Sequence, residues 1–227
     1  MPRCALALAV VSLSSTAALA RAEERNVPDF NAVNVASGIR ATVEIGPRRP
    51  VRVEAKDDVL DLVETRVEDG ALHIGFKPHS RWKGESRVTV TIQTPDLRAI
   101  GASGGAIVRA TFTRADESAI EASGGSEIRA RGIDTARLSV HGSGGAQLDV
   151  QGRADSLDLQ ISGGTRLHGR DLSVKDVDLQ ASGGSEGDLR ANGRIRGSLS
   201  GGSELHVRGG AKARVATSGG SSVEIED

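Results

Sequence analysis

The residues with the clearest chemical potential recur at a fixed place in the chain. Asp149, His168, Asp188, His206 and Glu224 each lie six residues after the serine of a Ser-Gly-Gly triplet, in a column that begins with Arg109 and Arg129. Imidazole and carboxylate ligands suit zinc, but groups spaced along a flat, solvated sheet do not converge on one ion without inward curvature. The column therefore predicts an exposed ladder of opposite charges, each pair contributing about 0–1 kcal/mol. His73, His79 and His141 fall outside it.

Nucleophilic catalysis would need one serine with a histidine partner and an orienting acid, and the equivalent triplet serines argue against any one being special. Glycoside hydrolysis or uronate lysis would need a local carboxylate cluster. Asp171, Lys175, Asp176 and Asp178 come nearest, and their closeness in sequence predicts a polar outer loop instead. No catalytic, metal or cofactor site is expected. The segment Lys77-Pro78-His79-Ser80-Arg81-Trp82-Lys83-Gly84-Glu85-Ser86-Arg87 stands out because it holds the only Trp of the chain among basic side chains. Trp and Arg are favoured contact residues, so Trp82, Arg81 and Lys83 are the candidate ligand or partner contacts.

The elements that would position these groups follow from an internal repeat. Ser-Gly-Gly begins at Ser103, Ser123, Ser143, Ser162, Ser182, Ser200 and Ser218, at steps of 18 to 20 residues. Five and seven residues after each serine the chain is aliphatic or small, as at Val108, Ile128, Leu148 and Leu167, and three before it stand Ile100, Ile120, Val140, Leu159 and Leu179. Polar residues alternate with these, so each coil carries two short strands of period two. Recurrent Gly-Gly and the period exclude helix. Successive antiparallel hairpins remain possible, but the register of equivalent residues favours a solenoid in which each coil buries its face on the next. The reading is an all-β, right-handed parallel β-helix, its hand taken from the rule for crossover connections. Adjacent strands about 4.8 Å apart make the regular part a rod roughly 30 Å long.

Each coil must turn sharply at its triplet, and glycine opens the backbone angles that this needs. Gly104, Gly105, Gly124, Gly125, Gly144, Gly145, Gly163, Gly164, Gly183, Gly184, Gly201, Gly202, Gly219 and Gly220 are therefore structural turns. A functional alternative is a polar strip of stacked Ser hydroxyls and Gly amides that holds a carbohydrate or anion. Neither the Gly-Gly-x-Gly-x-Asp spacing of calcium-binding β-rolls nor a Gly-Lys-Ser/Thr phosphate loop is present.

Three organisational units follow. Residues 1–22 read as a secretory signal peptide: Met1-Pro2-Arg3, an apolar stretch from Cys4 to Ala20, and small residues at Ala18-x-Ala20 and Ala20-x-Ala22 for cleavage. The lone Cys4 would leave with it, so the exported chain is held without disulfides. Residues 23–100 read as irregular β-rungs that cap the rod, with Ser37-Gly38 a worn corner, Glu68-Asp69-Gly70 a turn, and Val59–Val67 a short helix or a strand. Residues 101–227 are the regular repeats, with outer loops expected at Asp116-Glu117 and Arg153-Ala154-Asp155 and an open last rung at Val223–Asp227. With three Phe, one Trp and no Tyr among 227 residues, the core must be aliphatic. Lys and Arg number 29 against 30 Asp and Glu, which gives no bulk field for nucleic acid.

The leader, the irregular amino-terminal strands, Thr94-Pro95-Asp96-Leu97 leading into the repeats and the Ala/Gly-Ser-Gly-Gly ladder together resemble the GIN domain family, described as a head domain of autotransporter adhesins. The likeness runs from about Phe30 to Asp227. It implies a bacterial β-helical protein with no catalytic motif to carry over. No translocator barrel of alternating strands is read here, so the expected location is the periplasm, with the extracellular surface as the other exported possibility. The expected function is a non-enzymatic, adhesin-like binding or structural module of the envelope whose partner is a cell-surface glycan or envelope protein. The alternatives are an interaction protein that pairs edge to edge with a second copy, and a polysaccharide-active β-helix enzyme.

Overall fold

The computed structural model describes residues 21–81 and 87–226. In chain order the elements are β1 (Arg21–Arg25), β2 (Ala32–Val35), β3 (Arg40–Ile45), β4 (Val51–Ala55), α1 (Asp57–Leu60), β5 (Val63–Glu68), β6 (Ala71–Phe76), β7 (Thr89–Thr94), β8 (Ala99–Ala102) and β9 (Ile107–Thr111). They continue with β10 (Ala115–Ala122), β11 (Glu127–Gly142), β12 (Gln147–Ile161), β13 (Arg166–Ala181), β14 (Glu186–Ala191), β15 (Arg194–Leu199), β16 (Glu204–Arg208), β17 (Lys212–Thr217) and β18 (Ser222–Glu226). The stacked parallel strands make a β-solenoid, as the repeat predicts.

Two faces meet at the Ser-Gly-Gly corner. The face before the corner stacks β6, β2, β8, the later halves of β10 to β13, β15 and β17 in parallel register. The face after it stacks β7, β3, β9, the earlier halves of β11 to β13, β14, β16 and β18. Inward columns on both faces, including Ile120, Val140 and Leu159 before the corner and Val108, Ile128 and Leu148 after it, are wholly buried. Burying each such side chain contributes about 1.5–3 kcal/mol.

A third side closes each coil, and it corrects the expectation of two strands per coil. Thr135 aligns with Ala115 and Ala154, and Ala154 in turn with Val174. Asp116-Glu117, Arg153-Ala154-Asp155 and Asp171–Asp178 are thus strand residues within β10, β12 and β13 rather than outer loops. The third side carries few inward residues and is broken by register shifts such as that between Asp149 and Gly152, so its period-two signal is faint. Where the repeat shortens to 18 residues, this side shrinks to Asn192-Gly193 between β14 and β15.

The corner itself needs glycine for two separate reasons. Gly163 has φ +62°, and a Cβ there would lie 3.1 Å from the backbone nitrogen of Gly144 in the preceding rung; Gly164, at φ +76°, has open space beside it. The first glycine answers to both backbone angle and stacking, the second to angle alone. Ser37 is the informative exception. Its N–H donates to Ser103 O, and that of Gly38 to Gly104 O, so Ser37 stands beside the corner a place later than its likeness to the triplet serine suggests, with φ +61°.

The amino-terminal end is capped by a rung that runs backwards. The β4 strand pairs antiparallel with β7, β5 pairs antiparallel with β6, and α1 joins them. Val59 and Leu60 of this crossing are 1% exposed. The Val59–Val67 segment is therefore helix first and strand after. On the outside, β1 pairs antiparallel with β4, and the Arg25 guanidinium donates to Leu60 O and Val63 O at 3.1 and 2.6 Å. The Thr94–Leu97 motif is a stitch: Thr113 Oγ1 donates to Asp96 Oδ1 at 2.7 Å and accepts from Leu97 N–H at 3.1 Å.

Candidate functional site

A groove of about 1020 Å³ runs along the rod beside the Ser-Gly-Gly corners, on the face that precedes them. Its geometry follows from the pleat. Residues two before the triplet serine point outward, so Glu121, His141, Gln160, Gln180 and Ser198 stack as one wall, and at its head Gly101 has no side chain and the Asn34 amide of the neighbouring strand lies over it. The triplet serines Ser103, Ser123, Ser143, Ser162, Ser182 and Ser200 form the other. Between them the chain passes through Ala102, Ala122, Gly142, Ile161 and Ala181, whose side chains or hydrogens turn inward. Glu64 and Arg66 of β5, His73 and Phe76 line the head of the groove. From β6 to β15 it crosses seven strand spacings, about 34 Å.

The corner strip divides its polar groups between structure and surface. The N–H of Gly105, Gly125, Gly145, Gly164, Gly184 and Gly202 donates to the first-glycine carbonyl of the next rung at 2.9 to 3.0 Å. Those second-glycine amides serve the ladder, so only the first-glycine amides are left to the expected anion strip. A second set of hydroxyls, one residue beyond each Gly-Gly, turns inward: Ser126, Thr165, Ser185 and Ser203 are completely buried. Ser126 Oγ donates to Ala102 O, and the other three donate to the carbonyl of their own triplet serine at 2.7 to 2.9 Å. Sequence reading missed these corner locks; the small or hydroxylated residue after every Gly-Gly, Ala106 and Ala146 included, was the available signal. The triplet hydroxyls themselves carry no hydrogen bond within the described residues and face the groove.

The column six residues after the triplet serine lies on the opposite face of the corner. It forms isolated contacts: His168 Nδ1 to Asp188 Oδ2 at 3.8 Å, and His206 Nδ1 to Glu224 Oε2 at 3.0 Å. Among the described residues no three such groups gather as a metal site. The Asp171–Asp178 set separates likewise, since Asp176 accepts hydrogen bonds from the Arg194 backbone and guanidinium. The Arg194 hydrogen bonds hold the Asp176 carboxyl below its ordinary pKa.

Trp82 and Lys83 lie outside the described residues, while Arg81 is exposed. In sequence they fall between β6 and β7, where later rungs carry a Ser-Gly-Gly triplet between their two faces. The described start of this segment is a tight turn in which Ser80 Oγ donates to Lys77 O at 2.6 Å. The candidate contact segment and the head of the groove are therefore connected through Phe76 and Lys77.

Three solved structures share the fold: a putative adhesin of Bacteroides fragilis, at 17% identity over 92% of this chain and 96% of that one, with a TM-score of 0.82; a putative lipid binding protein of Parabacteroides distasonis, at 17% over 91% and 96%, TM-score 0.70; and a putative adhesin of Parabacteroides merdae, at 17% over 91% and 95%, TM-score 0.66. No curated protein matches the chain. The family model described as "putative auto-transporter adhesin, head GIN domain" matches residues 29–211, so the chain belongs to the GIN domain family.

Proposed function

We propose that this is an exported, non-enzymatic, adhesin-like module that holds an uncharged, hydroxyl-rich glycan chain lengthwise in the corner-side groove. The observation that carries the reading is a wall of triplet-serine hydroxyls facing a parallel column of polar side chains, in which the amides Gln160 and Gln180 and the hydroxyl of Ser198 follow Glu121 and His141. Gln and Ser side chains donate and accept, as sugar hydroxyls do, and a wall that repeats every 4.8 Å or so suits a polymer better than a compact metabolite. The adhesin names of the relatives support the coarse function. Export rests on the leader at residues 1–22; a cut after Ala20 would leave β1 whole, whereas one after Ala22 would remove two of its residues. The segment around Trp82 is assigned as an auxiliary contact at the groove's head.

A glycan array probed with the exported chain tests the reading, with Gln160→Ala/Gln180→Ala and Trp82→Ala beside it. The expected result is binding to neutral polysaccharides that the double substitution weakens at least tenfold and Trp82→Ala weakens less. Equal binding by the double variant would move the ligand out of the groove, and absence of binding to any glycan would reject the adhesin reading.

A further inference from the structure

The two ends of the rod present different surfaces. Among the described residues β17 pairs only with β15, and β18 only with β16, so the last rung offers unpaired backbone edges on two faces. Its inward residues are correspondingly less covered: Ala213, Val215 and Val223 are only partly buried and Ile225 is 41% exposed. The outward residues are segregated by sign. The edge before the corner carries Lys212 and Arg214, above Arg194 and Arg196 in the same columns. The edge after it carries Glu224 and Glu226, each in contact with one basic group of the preceding rung, His206 or Arg208.

We propose that this end docks against the same end of a second copy, about a two-fold axis through the Gly219 corner. Such an axis exchanges the faces on either side of the corner and reverses chain direction, so β17 meets the partner's β18 antiparallel, and the reverse. Centring the register on Gly219 sets Arg214 opposite Glu224, Lys212 opposite Glu226, Val215 opposite Val223 and Ala213 opposite Ile225. Charges face opposite charges and apolar residues face apolar residues along both strands. The contact closes on itself and yields a dimer, not a filament.

The fold already contains this kind of junction. At the other end, the β4–α1–β5 rung runs backwards across the corner and pairs antiparallel on both faces. The two-fold neighbour supplies an equivalent reversed rung to β17 and β18, which pair with no such rung among the described residues. This docking is independent of the groove, whose described lining stops at Ser198 and Ser200.

Sedimentation equilibrium on the full chain, expressed with its leader so that the host processes it, tests the proposal. The expected mass is that of a dimer. Arg214→Glu and Glu224→Arg should each raise the dimer dissociation constant at least tenfold, and the double charge exchange should restore dimerisation. Circular dichroism on each variant checks that the solenoid is retained. A monomer at every concentration, single variants as dimeric as the parent, or a double variant that stays dissociated while folded would overturn it. A mass growing beyond the dimer would contradict closure.

Discussion

The capped and open ends of the rod solve the same physical problem by different means. A solenoid buries each rung on its neighbours, so its terminal rungs need another cover for their apolar side chains and strand edges. At the amino-terminal end the chain supplies that cover itself, with α1 between two antiparallel strands and with Leu60 and Val59 sealed inside. At the carboxy-terminal end the rung keeps the regular repeat, and its apolar positions stay partly exposed. Local stability should therefore fall along the rod, and association should be confined to the end whose edges carry complementary charge.

Leu60→Ala against Val223→Ala breaks this comparison most severely. The buried leucine should cost about 2–5 kcal/mol through the lost side chain and the cavity it leaves. Val223→Ala should cost less than about 1 kcal/mol in a chain kept monomeric by Glu224→Arg, because the side chain is only partly buried. Urea denaturation measures both, and equal losses would show that the ends are equally covered.

The corners sharpen the comparison at a smaller scale. Gly163→Ala should cost more than the roughly 1–2 kcal/mol of the left-handed backbone alone, since the new Cβ would press on Gly144, whereas Gly164→Ala should cost only that amount. Near the capped end the same rule predicts the opposite sign: Ser37→Gly relieves a positive φ and should stabilise by up to about 1 kcal/mol. Melting curves for the three variants decide whether backbone angle and rung contact act separately.

Most of the solenoid was legible because its determinants are periodic. The triplet fixed the coil length, and the alternation at Ile120, Val140 and Leu159 identified the inward face. The reversed rung was not legible, because β4 and β5 read as strands whatever their direction, and antiparallel pairing with β7 and β6 is a tertiary choice. The third side was hidden by its few inward residues. For the site, the serine strip was visible but its partner wall was not: Glu121, His141, Gln160, Gln180 and Ser198 differ in type and share only their place in the coil. The one Trp drew the reading to Trp82 and Lys83, which lie outside the described residues.

Acid should produce the smallest effect. At Asp96 burial alone would raise the pKa, but hydrogen bonds from Thr113 and Arg98 outweigh it; at Asp176 the Arg194 hydrogen bond dominates, and both carboxyls end below their ordinary 3.8. A folded-state pKa below the unfolded value means stabilisation that is present above about pH 4 and is lost as pH falls through the folded value. Asp96→Asn and Asp176→Asn should each flatten the stability profile below pH 4 by a small and similar amount, because both carboxylates are about one-third exposed and solvent screens both. Denaturation midpoints between pH 2 and 6 provide the check.

The groove is the feature on which the functional account stands, and its length gives the most direct test. Titration calorimetry with size-defined oligomers of the glycan retained on the array should show affinity rising with chain length until the oligomer spans the wall from Asn34 to Ser198, then levelling off. Affinity that is already maximal for a mono- or disaccharide, or unchanged in the Gln160→Ala/Gln180→Ala protein, would contradict lengthwise binding along the stacked wall.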